Sequence, residues 1–237
     1  MTNRFPHRAS ALLALVFVLS AAVTLSSCAP AARVTLARDG SGTATFSGTL
    51  GPAAAEAFTR ATGGTGGQPA FDPALVREGL GRAGIAAEQV ATGSGSSLFM
   101  KLSIPDVTAL PGGIISRPAS GNGIVVTFSR ESVNGLVDLM PPETRDALDL
   151  LMAPVFTDES LSAAEYEDVL GSAYGKTLRD ELRASSLLLS VTCPSTVREA
   201  TVSAPGKCDV SGAVVTLSLP VSTLLTLENP VQARILW

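Results

Sequence analysis

Histidine is what this chain lacks most consequentially. Its single copy, His7, stands among the first residues of a 237-residue sequence. If that stretch is removed as a leader, the mature chain has none. A chain without imidazole has no Ser-His-Asp or Cys-His nucleophile system, no His-ligated zinc and no ordinary general base near neutral pH. Lysine is scarce as well, limited to Lys101, Lys176 and Lys207. Acidic residues outnumber basic ones 21 to 17, for a formal net charge of −4. That balance argues against nucleic acid as a partner and against steering toward anionic lipid heads. Other signatures are missing too. No serine stands in G-x-S-x-G or three residues before a lysine, and no D-x-D-x-D-G loop is present for calcium. Gly175-Lys176-Thr177 has the tail of a phosphate-binding loop, but Leu170 occupies the position where that loop needs glycine. No catalytic residue, metal site or cofactor is assigned, and a non-enzymatic role is expected.

The N-terminus carries the most specific signal present. Arg4, His7 and Arg8 form a basic head, followed by an apolar run from Ala11 to Leu25. A run of about 15 residues suits a signal peptide and is short for a membrane span of about 20. Leu25-Ser26-Ser27-Cys28 comes directly after it. This order matches the lipobox of bacterial lipoproteins, in which the Cys thiol receives diacylglycerol and the chain is cut just before it. The match implies a leader over residues 1–27, lipid on Cys28 and a tether over residues 28–32. The protein is then membrane-anchored in the bacterial cell envelope, facing the periplasm. Two alternatives stay open at this point: Ala29-Pro30-Ala31 as an ordinary cleavage site, and the apolar run as an uncleaved anchor. Two or three acyl chains, each buried CH₂ contributing about 0.8 kcal/mol, hold such a protein stably to a bilayer.

The remaining 210 residues suffice for a real core. Their pattern predicts an α+β fold of antiparallel sheet with a helical block inserted between strands, one domain over 33–237 with the insertion at about 130–186. Val34 and Leu36, then Ala44, Phe46 and Leu50, alternate about an Asp39-Gly40-Ser41-Gly42 turn and predict a hairpin. Helices are predicted over 52–61 and from Pro73, with Asp72 as cap and Leu75, Val76, Leu80 and Ala83 on one side. The loop Gly63 to Gly67 reads as a flexible linker. Strands are predicted around Val90 and over Leu98 to Ile104. Another pair turns at Gly121-Asn122-Gly123.

From Arg130 the period becomes helical, and the block over 130–186 holds 12 acidic against 5 basic residues. A helix is predicted over Glu143 to Met152. Ser162 and Glu165 fit a capping box, with Leu161 and Tyr166 as its hydrophobic staple. Tyr166, Val169, Leu170, Ala173, Tyr174, Leu178 and Leu182 then recur as one amphipathic helix. Glu165, Glu167 and Asp168 read as its solvated acidic face. Strands resume at Leu187 to Val191 and Ala213 to Leu219, then a helical turn at Val221 to Leu225 and a last strand from Val231 to Trp237.

Cys193 and Cys208 are the other cysteines, and an oxidising compartment can bridge them. A regular hairpin about a type II turn at Ala204-Pro205-Gly206-Lys207 would instead set Ser203 opposite Cys208, so bridge and free thiols both remain open. Leu136, Leu139, Met140, Leu148, Leu151, Met152, Val155 and Phe156 are either core or the lining of a cavity for an acyl chain. Two partner classes follow: a lipid or glycolipid ligand, or another envelope protein docked on the acidic helical face.

Leu150-Leu151-Met152-Ala153-Pro154-Val155-Phe156, with Glu165-Tyr166 and Ala173-Tyr174-Gly175, resembles a group of uncharacterised, Treponema-like spirochaete lipoproteins. The Val34-x-Leu36 strand running into Asp39-Gly40-Ser41-Gly42 resembles LppM-type envelope lipoproteins. The second resemblance implies lipid or glycolipid handling, and hence a cavity, without assigning any binding residue. The anchor itself is directly testable. Cells fed labelled palmitate should incorporate it into this protein, and a Cys28→Ala variant that still labels would refute the lipobox.

Overall fold

The computed structural model describes residues 30–61, 72–82, 84–93, 96–119, 121–137 and 161–237. The segment expected to be a leader, Cys28, the 63–67 loop and the helix expected over Glu143 to Met152 lie outside the described residues.

Alternation at the start of this range produces the expected hairpin. β1 (Ala31–Leu36) pairs antiparallel with β2 (Gly42–Thr49), Val34 opposite Ala44. In the turn between them the Asp39 carboxylate accepts from the Ser41 amide at 2.9 Å and its hydroxyl at 2.7 Å. β1 begins at Ala31, inside the segment expected to be tether. The reason is pairing on two sides: Ala31 and Ala32 face Ser47 and Phe46 of β2 and, across the other edge, Leu188 and Leu189 of β7 (Ser186–Thr192).

α1 (Pro52–Ala61) and α2 (Pro73–Arg82) follow, and the Asp72 carboxylate accepts from the Ala74 amide at 2.8 Å as a cap should. The apolar side expected of α2 is used little. None of its residues is buried, Leu75 is exposed, and Leu80 alone among its large apolar residues packs on the main core. β3 (Ala86–Thr92) and β4 (Ser97–Ile104) form the second hairpin, and β5 (Ile115–Ser116) pairs with β6 (Gly123–Phe128).

α3 (Arg130–Val137), α4 (Ala163–Tyr174) and α5 (Lys176–Ala184) lie in the expected helical block. The capping box forms: the Ser162 hydroxyl accepts from the Glu165 amide, and the Glu165 carboxylate accepts from the Ser162 amide at 3.0 Å. Leu161 packs against the small cluster that contains Tyr166, in keeping with a staple. The single helix expected from Tyr166 to Leu182 is instead two. Gly175, at φ +100°, ends α4 and the chain restarts as α5, yet Tyr166, Leu170 and Leu178 still share one small core with Ala57 of α1.

β8 (Glu199–Val202), β9 (Lys207–Ser211), β10 (Val214–Pro220), α6 (Val221–Thr226) and β11 (Val231–Leu236) complete the described elements. Two sheets result, one of seven strands in the order β3-β4-β2-β1-β7-β10-β9 and one of four in the order β5-β6-β11-β8. The expected α+β class holds, with every strand pair antiparallel except β1–β7. No hairpin folds about Ala204–Lys207. β8 joins the small sheet and β9 the large one, so this turn, which contains a cis Ala204–Pro205 bond, carries the chain between sheets.

The main core lies between the sheets. Leu36, Leu102, Ile104, Val191, Val215 and Leu217 of the large sheet meet Ile124, Val126, Ala233 and Ile235 of the small one. Val215, Leu217 and Ile235 are wholly inaccessible to water. The opposite face of the large sheet carries Thr35, Thr43, Thr45, Ser190, Thr192, Thr216 and Ser218, the polar half of each alternating strand.

Cys193 and Cys208 are free thiols. Cys208 stands opposite Leu217 on one flank of β10, whereas the Cys193 amide donates to the Ala213 carbonyl on the other flank. The offset is about 13 Å along the strand and about 10 Å across it, against the roughly 7 Å between Cα atoms that a bridge tolerates. Burial pushes the Cys193 thiol up to about 11, and burial followed by the Asp209 charge raises Cys208.

One fastening was not anticipated. The two carboxylate oxygens of Glu181, on α5, accept from the Ala53 and Ala54 amides at 3.2 and 3.1 Å, capping the N-terminus of α1 from far along the chain. Two outcomes follow. Glu181→Ala should lower unfolding stability by about 1–2 kcal/mol, measured by urea titration, because it strips α1 of its cap and its dipole partner. Alkylation at pH 8 without reductant should modify Cys208 first and Cys193 only after unfolding; a Cys193 that resists alkylation when unfolded, yielding only after reduction, would restore the bridge.

Candidate functional site

The residues expected to line an acyl-chain cavity cannot be placed against one. Leu136 belongs to α3 but its side chain is not described, and Leu139, Met140, Leu148, Leu151, Met152, Val155 and Phe156 lie outside the described residues. One apolar space among the described residues lies against the C-terminal half of that block. It has a volume of about 140 Å³ between the large sheet and the helices. Phe46, Leu50 and Leu98 line its sheet side, Ala54, Leu182 and Val221 its helix side, and Pro30 its rim.

Each wall has a local cause. Phe46 and Leu98 occupy the inward half of β2 and β4. Gly48, on the same face as Phe46, leaves the space open: a Cβ there would come 3.1 Å from the Phe46 ring and 3.6 Å from Pro30. Glu181 and Ser185 reach the pocket, yet their polar atoms are engaged, the carboxylate on the α1 amides and the Ser185 hydroxyl on the Glu181 carbonyl at 2.7 Å. What remains is a nearly hydrocarbon surface. Sequence reasoning missed these residues; the glycine within an alternating strand was the available signal.

A larger and more polar cleft, about 400 Å³, opens at the other end of β1. Its floor is Leu36, Val107 and Ile124, all buried. Its rim comes from turns of both sheets: Arg38 and Gly40 from the β1–β2 turn, Thr108, Arg117 and Asn122 from the segments around β5, Ser195, and Trp237. Backbone bonds stitch these turns together, the Val107 amide to the Gly40 carbonyl and the Trp237 amide to the Asn122 carbonyl, both at 3.0 Å.

The acidic face expected on α4 is largely consumed within the protein. Glu167 is buried rather than solvated, and Arg183 of α5 donates to it at 2.8 Å. Asp168 lies 3.4 Å from Arg179, and Glu165 serves the cap, whose hydrogen bonds hold its carboxyl below the usual range. Folding α5 beside α4 delivers the arginines that neutralise this face. Among the described residues no group of three His, Cys, Asp or Glu converges as a metal would require, and no helix is long and apolar enough to cross a membrane.

No protein-family model matches the chain, and no curated protein matches it. The resemblance to spirochaete lipoproteins therefore finds no support. Among solved structures the chain is similar to the folded domain of LppM from Mycobacterium tuberculosis, determined by NMR, at 10% identity and a TM-score of 0.37, covering 89% of this chain and 90% of that one. The similarity is in line with the LppM-type resemblance, and at that score it carries no functional argument.

Proposed function

We propose that this chain is a non-enzymatic, lipid-anchored envelope lipoprotein that takes up part of an acyl chain in the apolar pocket between the large sheet and helices α1, α5 and α6. The observation that carries this reading is the position of the pocket. Pro30, on its rim, follows the lipidation cysteine Cys28 by two residues, so the pocket opens at the end of the protein held to the membrane. An acyl chain at that surface needs no passage through water to reach it.

The volume limits what is held. At about 30 Å³ per methylene-sized group, a water's share of liquid volume, the pocket admits roughly four or five groups. At about 0.8 kcal/mol each, that is about 3–4 kcal/mol. Binding of that strength grips one segment of a chain and releases it readily, which suits presentation or transfer better than storage. Docking through the acidic helical face gains nothing from the geometry, since Glu167 and Asp168 are already matched by arginines.

Photo-crosslinking with a phospholipid carrying a diazirine on its acyl chain tests this. Crosslinks should map to peptides containing Phe46, Leu98 and Leu182. They should fall by about a hundredfold or more in Ala54→Phe, which fills the pocket at a cost comparable to the binding energy. Crosslinks absent from those peptides, or unchanged in a folded Ala54→Phe protein, would refute the proposal.

A further inference from the structure

The polar cleft lies at the opposite end of β1 from the pocket and is assigned no role by the lipid reading. β1 spans six residues, so the two sites are separated by roughly 20 Å along that strand. Three features of the cleft bear on what it holds.

The first is a pair of guanidinium groups without a contact partner. Arg38 and Arg117 both reach the cleft, and among the described residues neither side chain forms an ion pair or hydrogen bond. The carboxylates beside them spend their hydrogen bonds on neutral donors, although Asp106 still feels the Arg117 charge through space. Asp39 accepts from Ser41, and Asp106 accepts from the Thr108 amide and hydroxyl at 2.8 and 2.7 Å. Several other arginines are matched by carboxylates, as Arg60 is by Glu56, Arg82 by Glu78, and Arg183 by Glu167.

The second is placement. The Arg117 guanidinium leans over the β1–β2 turn, where a Cβ on Gly40 would meet its Nη2 at 3.0 Å. Gly40, at φ +92°, thus allows an arginine from the small sheet to approach the turn that carries Arg38. A guanidinium presents its donors as a planar fork suited to two oxygens of one oxyanion. The third is the rest of the lining: Thr108, Asn122 and Ser195 add neutral polar groups, and Trp237 joins them above a buried apolar floor.

We infer that this cleft is a binding site for an oxyanion, a phosphate monoester or carboxylate borne by a soluble molecule, gripped between Arg38 and Arg117. The cleft lies away from the anchored end, so the source is soluble rather than a headgroup of the membrane that holds Cys28. This part of the inference rests on the lipid anchor; the charge and the fork geometry do not.

Trp237 is the only tryptophan in the chain, so its fluorescence reports on the cleft alone. The detergent-extracted full protein is titrated with glycerol 3-phosphate and with citrate, at constant ionic strength set by sodium chloride. At least one should give a saturable change that weakens as salt is raised. Arg38→Gln and Arg117→Gln should each weaken that binding by about tenfold or more, and Arg117→Lys, which keeps the charge without the fork, by less. Circular dichroism confirms folding, and if a glutamine variant unfolds, Arg117→Lys against wild type carries the comparison. Absence of a saturable change with both probes would overturn the inference, as would equal affinity in the folded variants. A response to vesicles containing phosphatidic acid but to neither soluble probe would overturn the soluble source.

Discussion

β1 is hydrogen-bonded along both edges, to β2 on one side and to β7 on the other, and the large sheet depends on that double pairing. β2, β4 and β3 reach the sheet through one edge of β1, and β7, β10 and β9 through the other. The β1–β7 pair is parallel, so no tight turn can make it; a long crossover must bring β7 back beside β1. The helical block lies within that crossover. Closing so long a loop costs only slightly more entropy than closing one of half the length. The return is the continuous inner face on which Val34 and Val191, Ala32 and Leu189 stand side by side. Both cavities take their positions from this strand, one at each end.

Helices α1, α4 and α5 cohere through charge as well as packing. The carboxylate of Glu181 binds two amides at the positive end of α1, and the carboxylate of Glu167 is buried against Arg183. Both interactions join parts of the chain that composition alone treats as a surplus of acid. The cleft shows the reverse. Its charge is local, on two arginines whose neighbouring carboxylates are engaged with Ser41 and Thr108, and a net charge of −4 for the whole chain conceals it.

Much of the fold was legible, and the failures have physical causes. Strict alternation announced β2, β4 and β10, and the Ser162–Glu165 box announced the start of α4, because these signals are set by neighbours two to four residues away. Ala204–Pro205–Gly206 looked like a hairpin turn for the same reason, but β8 and β9 found partners in different sheets. The break at Gly175 was obscured because the apolar spacing continues through it, and both helices bury the same face. The cavity lining expected in the helical block falls on residues that are not described. The apolar pocket among the described residues takes its walls from both layers, Phe46 and Leu98 facing Ala54 and Leu182, with room left by a glycine. Arg38 and Arg117 drew no notice, since each sits alone in a polar turn and only the packing of two sheets brings those turns together.

The sequence by itself determined the scarcity of histidine, the α+β class and most element boundaries, and it is the sole basis for expecting lipid on Cys28. Each of these is a property of residue identity or of short-range spacing. Tertiary structure alone decided which strands are partners, that Cys193 and Cys208 stay apart on opposite flanks of β10, that Glu181 serves as a cap, and where the apolar pocket and the arginine cleft lie. Those outcomes depend on which distant surfaces bury one another, and spacing along the chain carries no record of that choice.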